Sequence, residues 1–421
     1  MGLHEVTSLA TRSSNPETAL AVMQQLRDDY GSHAVVHHAI GDLSAGLGRT
    51  EDALSALDRA LEIDPAYSGA RVLRARIRID NGEAEAALTD LRRARKRFPA
   101  DRDLALGVVR LLVKTDRTDA ARAEIRETFE QFGDDGFAVY SLALLAMQIG
   151  AWSDAQIYLE RMVAMEQRTS TAHYYLARIA HQDGDCDTAL RHYIKVGRGD
   201  HRFDAGLQAA ECMAELGRAD EARLHLDRMR KRYDEPRARV RIASTLARVE
   251  HIAGDPARAL AVLSDAVEQY PDQLDLRYSR ALTAAEQDRF ELARSDLERI
   301  LEQEPENARA LNALGYMLAN RNMELARARD MIERALEQNP EDPATIDSMG
   351  WVLYRQGEYR QALDYLREAW ELDPDPEIAA HLGEVLWALD RREEARAVWD
   401  EARELSPDSE ILRETVERLA P

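Results

Sequence analysis

Residues 348–374 read SMGWVLYRQGEYRQALDYLREAWELDP, and small or turn-forming residues mark the stretch at fixed offsets. Gly350 is followed by Gly357, Ala362, Ala369 and Pro374, at seven, twelve, nineteen and twenty-four residues. The same spacing runs through Gly41, Gly48, Ala53, Ala60 and Pro65, and again through Ala75, Gly82, Ala87, Ala94 and Pro99. From Pro65 to Pro99 the step is 34 residues. Gly or Ala in the eighth position and Ala in the twentieth let two antiparallel helices approach closely, where a larger side chain holds the axes apart. Gly in the fifteenth position turns the chain, and Pro in the thirty-second ends the second helix. One such pair cannot bury its own apolar face, so pairs must stack.

Outward from this stretch, repeats begin near Ala34, Ser68, Arg102, Gly136 and Ser170. The spacing slips by one at Gly217 and Ala222, lengthens through KRYDEPRAR (231–239) and resumes through Ala293 and Pro305. It takes one extra residue in LANRNMELA (318–326) and closes with Gly350, Gly383 and Pro407. Repeat four (103–133) has lost its Gly and Pro marks, which reads as drift or as a bend. The chain resembles tetratricopeptide-repeat arrays along its whole length. The fold expected from that is all-α, a right-handed superhelical solenoid of about twelve helix pairs. It divides into an N-terminal array (1–202), a C-terminal array continuous with it (203–407) and a capping helix (408–421). The opening GLHEVTSLATRSS carries no polar cap, which implies further sequence ahead of it.

Composition narrows the function classes. Of 421 residues, 32% are charged and 6% aromatic, and the formal net charge of −21 disfavours phosphate backbones and anionic lipid faces, so no nucleic acid partner is expected. No run of about 18 apolar residues exists to span a membrane, and no basic start precedes an apolar stretch. Cys186 and Cys212 form neither a C-x-x-C pair nor a disulfide framework. No nucleophile, phosphate-loop or zinc-protease motif is present. His33 and His37 share a helix face without a third ligand nearby, and His181, His192 and His201 are scattered. The expectation is a non-enzymatic chain with no metal and no cofactor.

In tetratricopeptide arrays the second, fifth, ninth and twelfth positions of each first helix line the concave face. The resemblance therefore implies a partner surface of Arg76, Arg110, Phe137, Tyr140, Leu144, Tyr174, Arg178, Arg248, Tyr278, Asn312, Tyr316, Asp347, Trp351, Tyr354 and Trp387. Tyr365 and Trp370 fall on second helices, where they pack or cover the back. Mixed aromatic rings and guanidinium groups suit an extended or helical peptide. The competing reading is that the rings only fill the inner curve. The Lys and Asn clamp for a terminal carboxylate is missing, since His38 and Asp42, or Val72 and Arg76, hold those slots.

Residues 311–399 are more particular. YMLANRN (316–322), IDSMGWVLYR (346–355) and PDPEIAAHLGEVLW (374–387) resemble the corresponding block of proteobacterial tetratricopeptide outer-membrane lipoproteins. One member of that group binds and activates a periplasmic carboxy-terminal processing protease. The resemblance implies a periplasmic, outer-membrane-associated adaptor for such a protease or its substrates, with a lipid anchor in sequence ahead of Met1. A cytoplasmic regulatory scaffold binding peptide segments is the alternative.

Overall fold

Two helices per repeat are what the spacing demands, and the computed structural model, which describes residues 3–420, has twenty-five helices and no strand among those residues. In chain order they are α1 (Leu3–Thr11), α2 (Pro16–Tyr30), α3 (Ala34–Gly46), α4 (Thr50–Ile63), α5 (Ser68–Asp80), α6 (Ala84–Arg97), α7 (Arg102–Lys114), α8 (Thr118–Phe132), α9 (Gly136–Gln148), α10 (Trp152–Ala164), α11 (Thr169–Gln182) and α12 (Cys186–Tyr193). The series continues with α13 (Arg202–Glu215), α14 (Ala219–Arg232), α15 (Pro236–Ile252), α16 (Pro256–Gln269), α17 (Leu274–Glu286), α18 (Phe290–Gln303), α19 (Ala308–Asn320), α20 (Leu325–Gln338), α21 (Pro343–Arg355), α22 (Tyr359–Leu372), α23 (Pro376–Ala388), α24 (Arg392–Leu405) and α25 (Glu410–Leu419). Consecutive helices pair as hairpins, α3 with α4, α9 with α10 and α21 with α22 among them, and α25 packs on α23 at the end of the series. The chain folds as two units, Met1–Ala205 and Gly206–Pro421.

Within each unit the odd-numbered first helices touch one another across the repeat, α3 on α5, α5 on α7, α19 on α21, α21 on α23, whereas second helices two apart do not approach as closely. First helices therefore line the inner side of each unit. The close approach rests on the missing side chains: a Cβ on Gly350 would lie 2.5 Å from Leu366 Cγ. Ala362 and Ala369 on the facing helix are completely enclosed.

The turn between paired helices requires a left-handed residue. Gly82 and Gly357 supply it, each at φ +86°. Where the spacing has lost its glycine, Asp116 (φ 55°), Asp288 (φ 58°), Asn322 (φ 56°) and Asp390 (φ 57°) take the same conformation, which Asp and Asn tolerate better than other side chains. Repeat four is thus drift in sequence and not a bend: α7 and α8 pair, and α7 contacts both α5 and α9. Asp116→Gly should raise the unfolding free energy by about 0.5–1 kcal/mol through removal of the left-handed penalty. A urea titration checks this, and an unchanged or lower midpoint contradicts it.

Irregularities in spacing have local outlets. KRYDEPRAR lengthens α15 to 17 residues, with Pro236 opening it, where α17 and α19 each have 13. The extra residue of LANRNMELA is taken up by a second left-handed residue, Glu324 at φ 44°. A full second helix is expected after Gly184, but α12 stops after 8 residues. Gly197 and Gly199 follow, the latter at φ +92°, and glycine both weakens a helix and turns the chain.

Carboxylates between neighbouring helices are held by arginines. Asp296 meets Arg280 at 2.6 Å and Arg277 at 3.2 Å, and Glu250 meets Arg223 at 2.6 Å and Arg258 at 3.2 Å. Such buried pairs cost desolvation that the attraction offsets, so their clear effect is to fix helix register.

Candidate functional site

In the first unit, the first helices α3, α5, α7 and α9 enclose a groove of about 380 Å³. His38, Asp42, Val72, Arg76, Asp103, Arg110 and Phe137 line it, so three of the residues expected on the inner face converge here. Arg76 and Arg110 are exposed, Arg76 lying 3.9 Å from Asp42. Phe137 leaves 46% of its surface open, with the Arg102 guanidinium 4.7 Å from the ring centre. Burial lowers the His38 pKa below its ordinary value, Asp42 opposing, so the imidazole is neutral at pH 7. Beyond the groove, Arg168 lies 4.8 Å from the Tyr140 ring, and Tyr174 stacks on His201 at 4.2 Å and 6°. Arg178 is exposed and Leu144 is half-buried.

In the second unit, α17, α19, α21 and α23 border a groove of about 460 Å³. Tyr278, Asn312, Tyr316 and Asp347 line it together with Asp342, Asp373, Asp375 and Glu377. The Tyr316 hydroxyl donates to Glu377 Oε1 at 2.6 Å, and burial together with that carboxylate pushes the phenol pKa up. Arg309 covers the Tyr278 ring at 4.1 Å. Asp342 and Asp375 are helix N-caps, accepting from Thr345 N and Glu377 N.

Other expected partner residues lie elsewhere. Trp351 is 5% exposed, its ring stacked on His381 at 4.1 Å, so it is enclosed and offers no platform for a ligand. The cause is α23, which packs across α21 and places His381 over the indole. Tyr354 donates to Glu384 at 3.1 Å; burial, then Glu384, push its pKa up to about 12. Arg418 of α25 reaches the same Glu384 at 2.5 Å. Trp387 leans on Trp399 at 5.7 Å, and the Arg392 guanidinium lies 5.0 Å from its ring centre. Arg248 stands apart, paired with Glu211 at 3.3 Å. Tyr365 and Trp370 pack against the core from α22. His37 Nε2 meets the Gly31 carbonyl at 3.0 Å while His33 is exposed, so the two do not converge on a shared site.

The acidic lining escaped sequence reasoning, which followed rings and arginines along the first helices. A signal was present in the loops: EDP at 341–343 and DPDP at 373–376 put carboxylates beside successive helix starts. The buried Asp347–His381 pair, 2.9 Å apart and 34 residues separated, joins neighbouring slots of successive first helices.

Comparison with known proteins agrees with this geometry. Two tetratricopeptide-repeat family models match, one at residues 44–89, 78–145 and 353–415, the other at 244–296 and 278–343, together more than half of the chain. The chain is a tetratricopeptide-repeat protein. A model of anaphase-promoting complex, cyclosome, subunit 3, also matches residues 148–229. A TPR repeat-containing protein of Pseudomonas aeruginosa is 36% identical over 248 residues, 59% of this chain and 42% of that protein. Cellulose synthase operon protein C of Xanthomonas axonopodis pv. citri is 28% identical over 258 residues, 57% of this chain and 15% of that one. The chain thus spans less than half the length of these curated relatives. Among solved structures, yeast Tom70 superposes with a TM-score of 0.50 at 15% identity, covering 98% of this chain and 93% of its own, a likeness of fold. Tetratricopeptide repeats indicate a protein–protein interaction scaffold.

Proposed function

We propose that this tetratricopeptide-repeat protein is a non-enzymatic adaptor that holds extended protein segments along its first helices. The observation that carries the reading is the open Arg76, Arg110 and Phe137 cluster, an aromatic ring and two guanidinium groups on one inner face. Such groups dominate binding energy at protein interfaces because they bury large area at low entropy cost. The likeness of residues 311–399 to proteobacterial outer-membrane lipoproteins adds the finer reading: one partner is a carboxy-terminal processing protease or its substrates, met in the periplasm. The adaptor itself performs no chemistry in this reading.

The test is an affinity capture with the full chain from an envelope extract of its own source, read by mass spectrometry. Recovery of a carboxy-terminal processing protease supports the adaptor, and recovery of cytoplasmic proteins alone replaces it with a cytoplasmic scaffold. Phe137→Ala with Arg110→Ala is expected to weaken capture by about 2 kcal/mol, roughly thirty-fold, with helicity unchanged. Unaltered capture by that variant moves the interface off the inner face.

A further inference from the structure

We infer that the groove of the second unit selects a lysine- or arginine-bearing extended segment, a specificity that rests on the peptide-holding reading above and names its partner chemistry. The argument is an account of hydrogen bonds. Five carboxylates line the groove and no Lys, Arg or His does. Several acceptors there are unmet among the described residues. Asn312 Oδ1 is enclosed without a donor. Asp342 and Asp375 each spend one oxygen on their helix caps, and no donor reaches the exposed Asp373 carboxylate. Tyr316 already spends its hydroxyl on Glu377, and Asp347 is already met by His381.

A groove in which carboxylate acceptors outnumber donors is complemented by a ligand that brings donors. Ammonium and guanidinium groups have donors and no acceptors, and backbone N–H groups add more. Helix starts beside Asp342 and Asp375 offset part of their charge, but Asp373 lies in a loop and keeps its own. Length points the same way. Four successive first helices spaced about 9 Å apart span roughly 27 Å, the reach of about eight extended residues. A free metal ion would need ligand atoms gathered at one point, whereas these carboxylates are spread over two helix starts, the body of α21 and a loop. The occupant is therefore a basic peptide segment.

The full chain is titrated into a fluorescein-labelled ten-residue peptide of alternating lysine and serine, with a glutamate-for-lysine peptide as counterpart. The lysine peptide should bind at least ten-fold tighter, and Asp373→Lys should weaken it at least ten-fold. Because the chain carries −21 overall, Glu268→Lys serves as the control, an equal change of charge on the exposed face of α16; it should alter affinity less than two-fold. Circular dichroism confirms the fold of each variant. Equal affinity for both peptides, or equal loss from Asp373→Lys and Glu268→Lys, overturns the inference. If the lysine peptide binds as expected while envelope capture recovers no partner, the adaptor reading fails and the groove's specificity stands. Capture that survives Asp373→Lys, with no preference between peptides, has the opposite meaning.

Discussion

Trp399→Ala is expected to lower the unfolding free energy by about 3–5 kcal/mol. Trp399 is 1% exposed and is the largest fully enclosed side chain. Its indole lies directly against Gly383 on the paired helix α23, where a Cβ would collide with the ring. Gly383→Ala alone therefore forces α23 and α24 apart, at about 1–3 kcal/mol. In the Trp399→Ala background the same alanine enters vacated space, so the two changes together should cost clearly less than their sum. Urea unfolding of the four variants measures the coupling. Strict additivity would mean that the ring and the glycine do not share the space assigned to them.

Asp347→Ala should cost about 3–5 kcal/mol, because it strands a buried imidazole that now has a carboxylate partner. Both residues are 5% exposed, and His381 Nδ1 lies 2.9 and 3.0 Å from the two Asp347 oxygens. Burial by itself pulls the His381 pKa down, but Asp347, with Glu377 and Glu384 further off, outweighs it and holds the value above 6.5. Tyr316 and Trp351 complete the enclosure. With a folded pKa above the unfolded one, the charged pair contributes stability that is fully present below about pH 6.5 and is lost as pH rises through the folded value. Urea midpoints of the parent chain should therefore fall on going from pH 6 to pH 9, and His381→Gln should flatten that fall. An identical slope in both proteins would show that His381 does not carry the charge.

The repeat was legible because its marks answer to backbone geometry. Gly350 and Ala362 are small since two helices touch there, and Gly357 is glycine since the turn is left-handed, so each position reads from the chain alone. At Asp116 and Asp288 a polar residue adopts the conformation with no glycine to announce it, and there the pair reads from the 34-residue frame alone. After α12, at Gly197 and Gly199, local turn chemistry overrides the 34-residue frame.

The candidate site was legible in part. Position along a first helix placed Arg76, Arg110 and Phe137 in one groove, and Tyr278, Asn312 and Tyr316 in another. Trp351 and Tyr278 occupy the same inner-face series, yet one is enclosed and the other lines a groove. What separates them is the side chain that the next repeat sets across each ring, His381 in one case and Arg309 in the other.

By itself the sequence determined that this protein is an all-helical array with a known beat, because spacing of small residues and turns follows from bond geometry within one hairpin. Only the tertiary structure decided which rings are open, which carboxylates line a groove and which pair with a buried histidine. Those properties belong to contacts between side chains about 34 residues apart, and their burial depends on how closely neighbouring first helices stack.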